Sequence, residues 1–88
     1  MTRRIPHELQ DEFPEALPVI ERLTRTDHEF RRLAASYDDV NREIYQMESG
    51  DAHTPEEVVV EARKRRLIIK DQIAAMLAKA GSASAGRG

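Results

Sequence analysis

Four consecutive cations, Arg63, Lys64, Arg65 and Arg66, are the most concentrated group of chemically active side chains in this chain. Basic runs are typical of contacts with nucleic acid or another polyanion, because guanidinium and ammonium groups bind phosphate. On a helix, however, four consecutive side chains point in directions about 100° apart, so they do not share one surface. No aromatic side chain is interleaved with them to stack on bases. We therefore expect a structural role for the run and keep nucleic-acid or anion binding as the alternative.

The other candidates for chemistry are scattered along the chain. His7, His28 and His53 lie in three separate regions, and no two of them have the four-residue spacing with which a helix holds a metal ion. No serine is framed by glycines as the nucleophile of a sharp strand-to-helix turn is. The chain contains no cysteine, so thiolate chemistry is excluded. We expect no enzymatic activity, no catalytic residue, no cofactor and no metal site.

Composition favours long, solvated helices. Charged residues make up 34% of the 88 residues and aromatic residues 5%, a balance that suits extended helices better than a compact mixed fold. The formal net charge of −2 gives no overall attraction to nucleic acid or to an anionic membrane. The apolar runs of the chain are far too short to span a bilayer, and no apolar run follows the basic amino terminus. We expect a cytoplasmic protein that does not bind membranes.

Two long helices must position these side chains. Between residues 19 and 47 apolar side chains recur every seven residues in two series, which predicts one helix over about residues 18–48 with a coiled-coil-like seam. The members of these series are Leu23, Phe30, Tyr37 and Ile44, and Val19, Thr26, Leu33, Val40 and Met47, of which only Thr26 is polar. A second helix is predicted over about residues 55–80, because Thr54 and Pro55 are typical of a helix start and Gly81 of a helix end.

The connection between the two helices, residues 49–54, is short and contains Gly50 and Asp51. So short a turn between helices predicts antiparallel neighbours. The expected fold is therefore all-α, a two-helix antiparallel hairpin within a single domain of residues 1–80. The spacing of Ile5, Leu9 and Phe13 adds a short amino-terminal helix. Residues 81–88 are mostly small and have nothing to bury, and we expect them to be disordered.

Arg66 interrupts the apolar seam of the second helix. In an antiparallel hairpin closed at the predicted turn, it lies close to Tyr37, Asp38 and Asn41 on the first helix. We expect one of these side chains to hold the Arg66 guanidinium, because a buried charge needs a partner. The same register places Phe30 against Ile73.

Two segments together carry a resemblance to a known family. The first is EFPEALPVIERLTRTDHEFRRLAASYDDVNREIYQME, with Asp27, His28, Glu29 and Phe30 at its centre, and the second is ARKRRLIIKDQIAAML, with Leu67, Lys70, Asp71, Ile73, Met76 and Leu77. Together they resemble the YdcH family of small bacterial proteins over about residues 11–80. Pro18 and Glu29 depart from the pattern. The resemblance implies a helical hairpin and no assigned activity.

The second helix also carries an apolar flank, Leu67, Ile68 and Ala74, that the hairpin does not use. Such exposure predicts self-association, as in a homodimer, or binding to a partner protein. The alternative is that the segment around Ile5, Leu9 and Phe13 folds back over this flank in a monomer. The function we expect is that of a small, non-enzymatic interaction module that acts through its helix faces. The alternative is a weak nucleic-acid or anion binder that uses residues 63–66.

Overall fold

The computed structural model describes residues 8–50 and 53–85, and these residues are helical with no strand among them. They form α1 (Leu9–Glu12), a single 3-10 turn (Pro14–Ala16), α2 (Leu17–Thr26), α3 (His28–Ser49) and α4 (Glu56–Ala85). The most extensive contact joins α3 to α4, which lie against each other as a hairpin. The predicted all-α hairpin with a short amino-terminal helix is confirmed.

The first long helix is divided, contrary to the prediction of one helix over residues 18–48. Asp27 is in an extended conformation between α2 and α3, with φ −121° and ψ 111°. Its carboxylate Oδ1 accepts a hydrogen bond from the amide of Phe30 at 3.0 Å and so caps α3. The heptad pattern did not reveal this break, because Leu23 and Phe30 on its two sides contribute to the same core.

After the break the chain reverses, so that α2 lies back along the first half of α3. The Arg31 guanidinium donates a hydrogen bond to the carbonyl of Thr24 at 3.0 Å across the break. Leu17 and Asp38 line one surface groove. In a continuous helix they would stand about 32 Å apart, at 1.5 Å per residue. Residues 9–26 therefore form a third layer on the hairpin rather than an extension of it.

Helix α4 begins close to the predicted position and ends later than predicted. The carbonyl of Pro55 accepts hydrogen bonds from the amides of Val58 and Val59, at 3.0 and 3.3 Å. The helix passes through Gly81, which does not adopt a left-handed conformation, and continues to Ala85. Glycine lowers helix stability by about 1 kcal/mol relative to alanine and does not by itself end a helix. The predicted disordered tail, residues 81–88, is thus helical as far as Ala85, and residues 86–88 lie outside the described residues.

The amino-terminal segment packs on the hairpin. Helix α1 starts with a reciprocal cap. The backbone amide of Glu8 donates to the Asp11 carboxylate at 3.3 Å, and the backbone amide of Asp11 donates to the Glu8 carboxylate. Leu9 and Phe13 pack against the core. Ile5, the third apolar residue of the predicted helix face, lies outside the described residues.

The core has two separate clusters along the hairpin. The covered end contains Phe30, Tyr37, Ile73 and Leu77 and is overlaid by α1 and α2. The turn end contains Val40, Ile44 and Ala62, with Met47 and Ile69 packed against them. Phe30 and Ile73 belong to one cluster, which confirms the predicted register. Within residues 8–50 and 53–85, no helix combines the length and the apolar character needed to cross a bilayer.

Candidate functional site on helix α4

A polar pair sits between the two core clusters. Asn41 on α3 is 3% exposed, and its side-chain oxygen accepts a hydrogen bond from Nη1 of Arg66 at 2.8 Å. The expected anchoring of Arg66 by a residue of the first helix is confirmed, with Asn41 as the partner. The guanidinium satisfies a buried amide that would otherwise lose its hydrogen bonds with water. Arg66 is therefore a structural residue of the hairpin.

The rest of the basic run does not form one surface. Arg63 bonds to Glu48, with Nε 3.1 Å from Oε2, and Arg65 lies 3.6 Å from the carboxylate of Glu43. Lys64 is exposed and forms no ion pair with any of the described residues. Three of the four cations thus reach across to α3, while Lys64 points away from it. Exposed pairs of this kind contribute about 0–1 kcal/mol each, so Arg63 and Arg65 stay open to exchange with another anion.

An open groove of about 300 Å³ runs between α1 and α4. Its lining is Glu12, Tyr37, Arg63, Arg66, Leu67 and Lys70. Nζ of Lys70 donates to Oε1 of Glu12 at 2.5 Å and lies 6.0 Å from the centre of the Phe13 ring. Sequence reasoning did not associate Glu12 with this groove, because residues 12 and 70 are brought together only by the reversal at Asp27. The spacing of Leu9 and Phe13 was the one signal that this segment docks on the hairpin.

Tyr37 supplies the hydroxyl of this groove. The pKa of Tyr37 is raised to about 12, mainly by burial and then by the nearby Glu12 carboxylate, while the positive charge of Arg66 partly offsets the rise. The hydroxyl therefore stays protonated near neutral pH. It can donate or accept a hydrogen bond there, but a protonated phenol is a poor general base or nucleophile.

The outer face of α4 is defined here as Val60, Lys64, Leu67, Ile68, Asp71 and Ala75, all of them exposed. Leu67 is 58% exposed and Ile68 59%, more than any other large apolar side chain of the described residues. Ala74, the third residue of the predicted flank, is half-buried and lies at the edge of this face. Leu9 and Phe13 pack on the core and leave Leu67 and Ile68 exposed.

The histidines do not form a site in the described part of the chain. His28 is the first residue of α3 and is exposed, as is His53 before α4, while His7 lies outside the described residues. Among residues 8–50 and 53–85, no three His, Asp or Glu side chains are grouped so that they could hold a metal ion.

Comparison with known proteins places the hairpin in a family. The family model described as "Protein of unknown function (DUF465)" matches residues 30–77, more than half of the chain. No curated protein and no solved structure matches. The matched segment begins at Phe30 and ends at Leu77, two residues of the covered end, so it consists of the α3–α4 hairpin without α1 and α2. YdcH-like proteins belong to the same family, which confirms the resemblance found in the sequence. The chain is a member of the DUF465 family.

Proposed function

We propose that this protein is a non-enzymatic helical interaction module that presents the outer face of α4 to a helix of another protein molecule. The contact is of the coiled-coil type, in which apolar side chains of two helices interlock along a shared seam. The cytoplasm is the proposed location, since a chain without cysteine gains nothing from an oxidising compartment.

The observation that carries this proposal is the exposure of Leu67 and Ile68. They are neighbours near the middle of α4, and the opposite side of the same helix supplies Ala62, Ile73 and Leu77 to the core. If α4 were apolar on one side only, packing against α3 would bury that side completely. Apolar residues on two opposite sides of a helix favour a second packing partner. Adjacent exposed apolar side chains are typical of protein-interaction sites.

The groove beside Tyr37 supports a non-catalytic role. Its hydroxyl keeps its proton at neutral pH, and its Lys70 ammonium is paired with Glu12. Paired charges and a protonated phenol hold elements together more readily than they accept or release protons during a reaction.

The proposal is tested by placing a photoreactive amino acid at position 68 in the source cell. The matched control carries it at Asp39, which lies on α3 and has a side chain that is 79% exposed. We expect illumination to yield an adduct of defined mass from position 68 and none from position 39. Adducts identical at both positions, or none at position 68, would contradict the proposal.

The alternative is an anion or nucleic-acid binder that uses residues 63–66. What supports it is that Arg63, Arg66 and Lys70 line one groove. The test is a titration of single-stranded RNA binding at increasing salt. Phosphate contacts give a steep fall in affinity with salt, and Arg63→Gln, a change in both the basic run and the groove, should reduce the slope. A binding constant that is weak and insensitive to salt would eliminate this alternative.

A further inference from the structure

We propose that the partner of the outer face of α4 is a second copy of this chain, bound antiparallel about a two-fold axis between Leu67 and Ile68. This inference rests on the proposed function and names its partner. It follows from the order of charged and apolar residues along the face.

The six residues of the outer face form one continuous stripe. At 3.6 residues per turn they fall within an arc of about 100° around α4, which is the width of the apolar stripe on an ordinary helix. The stripe lies on the side of α4 away from the buried residues Ala62 and Ile73. A second helix can therefore lie along it without disturbing the hairpin.

The stripe is self-complementary when it is reversed. About an axis between Leu67 and Ile68, Lys64 meets Asp71 of the second copy, and Val60 meets Ala75 of the second copy. The Leu67 and Ile68 side chains of both copies gather around the axis. In a two-fold dimer every such contact occurs twice, so one lysine and one aspartate per chain make two ion pairs. In a parallel arrangement Lys64 would face Lys64 and Asp71 would face Asp71.

The charges of the face are available for this contact. Neither Lys64 nor Asp71 forms an ion pair with another of the described residues, whereas Arg63, Arg65 and Lys70 each do. Lys64 and Asp71 flank Leu67 and Ile68, so a suitable partner helix presents an acid, two apolar residues and a base in the opposite order. A second copy of α4 that runs antiparallel presents this order. Dimerisation would also bury more apolar surface, which stabilises a chain whose own core is small.

Charge reversal tests the pairing in the full-length protein. In sedimentation over roughly a hundredfold range of protein concentration, the mass of the wild-type protein should double from that of a monomer to that of a dimer as the concentration rises. The Lys64→Asp and Asp71→Lys variants each place like charges opposite one another, and we expect each to dimerise at least tenfold more weakly. An equimolar mixture of the two variants should recover the dimer, because each chain then complements the other. Circular dichroism of both variants should match the wild type, since both positions are exposed.

Crosslinking tests the relative direction of the two α4 helices. Because the chain has no cysteine of its own, an introduced cysteine is the only thiol that can react. Positions 60 and 75 lie about 22 Å apart on one helix, beyond the reach of a short bifunctional maleimide. Val60→Cys and Ala75→Cys should each crosslink poorly alone and efficiently when mixed. Efficient crosslinking of either variant alone would mean a parallel dimer and would overturn the inference. Mixing Val60→Cys with Asp39→Cys, on α3, gives the background from random collision.

Failure of this inference is distinguishable from failure of the proposed function. A wild-type protein that stays monomeric at all concentrations, or single charge variants that dimerise as well as the wild type, would overturn the self-pairing. An adduct from position 68 with the mass of a different protein would overturn it too, while leaving the interaction module intact. An adduct with the mass of two copies supports both.

Discussion

The two ends of the hairpin are built differently. At the covered end, Phe30, Tyr37, Ile73 and Leu77 are enclosed by α3, α4 and the returning amino-terminal segment. At the turn end, Val40, Ile44 and Ala62 have only the two long helices around them, with Met47 and Ile69 as their partly buried neighbours. Both ends bury their central side chains almost completely, but the covered end does so with a third layer.

The two ends of the hairpin also relate differently to the segment that the family model matches. The family match spans residues 30–77 and includes both clusters, whereas α1 and α2 lie before it. The matched segment is thus the hairpin with both of its clusters, and the amino-terminal helices cover one of its ends. The covered end should contribute more to stability, since each side chain there has more atoms within van der Waals contact.

Phe30→Ala should give the largest effect. Phe30 is fully buried in the covered end, and truncating a buried phenylalanine costs about 3–5 kcal/mol, which approaches the whole stability of a small domain. Urea denaturation followed by circular dichroism measures the loss. His28→Ala, an exposed change on the same helical turn, should stay within about 0.5 kcal/mol of wild type. A Phe30→Ala protein with the wild-type midpoint would mean that the covered end is assembled differently.

Alkaline pH should weaken the covered end next. The pKa of Tyr37 is raised from 10.0 to about 12 on folding, so above pH 10 the unfolded chain releases this proton while the folded chain retains it. The stability is therefore complete below pH 10 and is lost as the pH rises towards 12, by about 2–3 kcal/mol. Unfolding free energies across this range measure the slope. Tyr37→Phe should flatten it, and an equal slope in that variant would contradict the assignment to Tyr37.

A matched pair of substitutions compares the two ends directly. Ile73 and Ile44 are both almost fully buried, the first in the covered end and the second in the turn end. Removal of one methylene as Ile→Val costs about 0.5–1.5 kcal/mol. We expect Ile73→Val near the top of this range and Ile44→Val near the bottom, because fewer helices surround Ile44. The reverse order in urea denaturation would show that the third layer adds little.

The smallest net effect is expected when Arg66 and Asn41, whose hydrogen bond joins the two ends, are replaced together. Arg66→Leu removes one partner of a buried amide and should cost about 1 kcal/mol. Adding Asn41→Leu should return the stability to the wild-type value or above it, since apolar replacement of a buried polar pair is often neutral or stabilising. A double variant less stable than Arg66→Leu alone would contradict this account. It would show that the Asn41 side chain stabilises the fold by more than its hydrogen bond to Arg66.

The sequence was sufficient for the hairpin because its signals are local and repeated. The heptad of α3, the turn near Gly50 and the misplaced cation Arg66 together determine a register, and the Arg66–Asn41 bond and the shared cluster of Phe30 and Ile73 confirm it. The apolar flank was also visible in the sequence. In the structure Leu67 and Ile68 are its exposed residues, and Ala74 is half-buried at its edge.

The reversal at Asp27 was not predicted, because the seven-residue repeat continues through it without interruption. The local signals were weaker. Asp27 is a good capping residue, and the hydroxyls of Thr24 and Thr26 donate to the carbonyls of Ile20 and Arg22, at 2.6 and 2.8 Å, in a manner that bends helices. The groove wall formed by Glu12 follows from that reversal, so it could not be inferred either.

The contact between Glu12 and Lys70 also bears on the order in which the molecule folds. These residues are separated by 58 positions, while the α2–α3 reversal and the α3–α4 turn close much shorter loops. Short loops close first because they sacrifice less chain entropy. On the ribosome, α1 is made before α4, so its contact with Lys70 must wait for the middle of α4. The Glu12 side of the groove is therefore completed late in folding, and until then Tyr37 remains open to water.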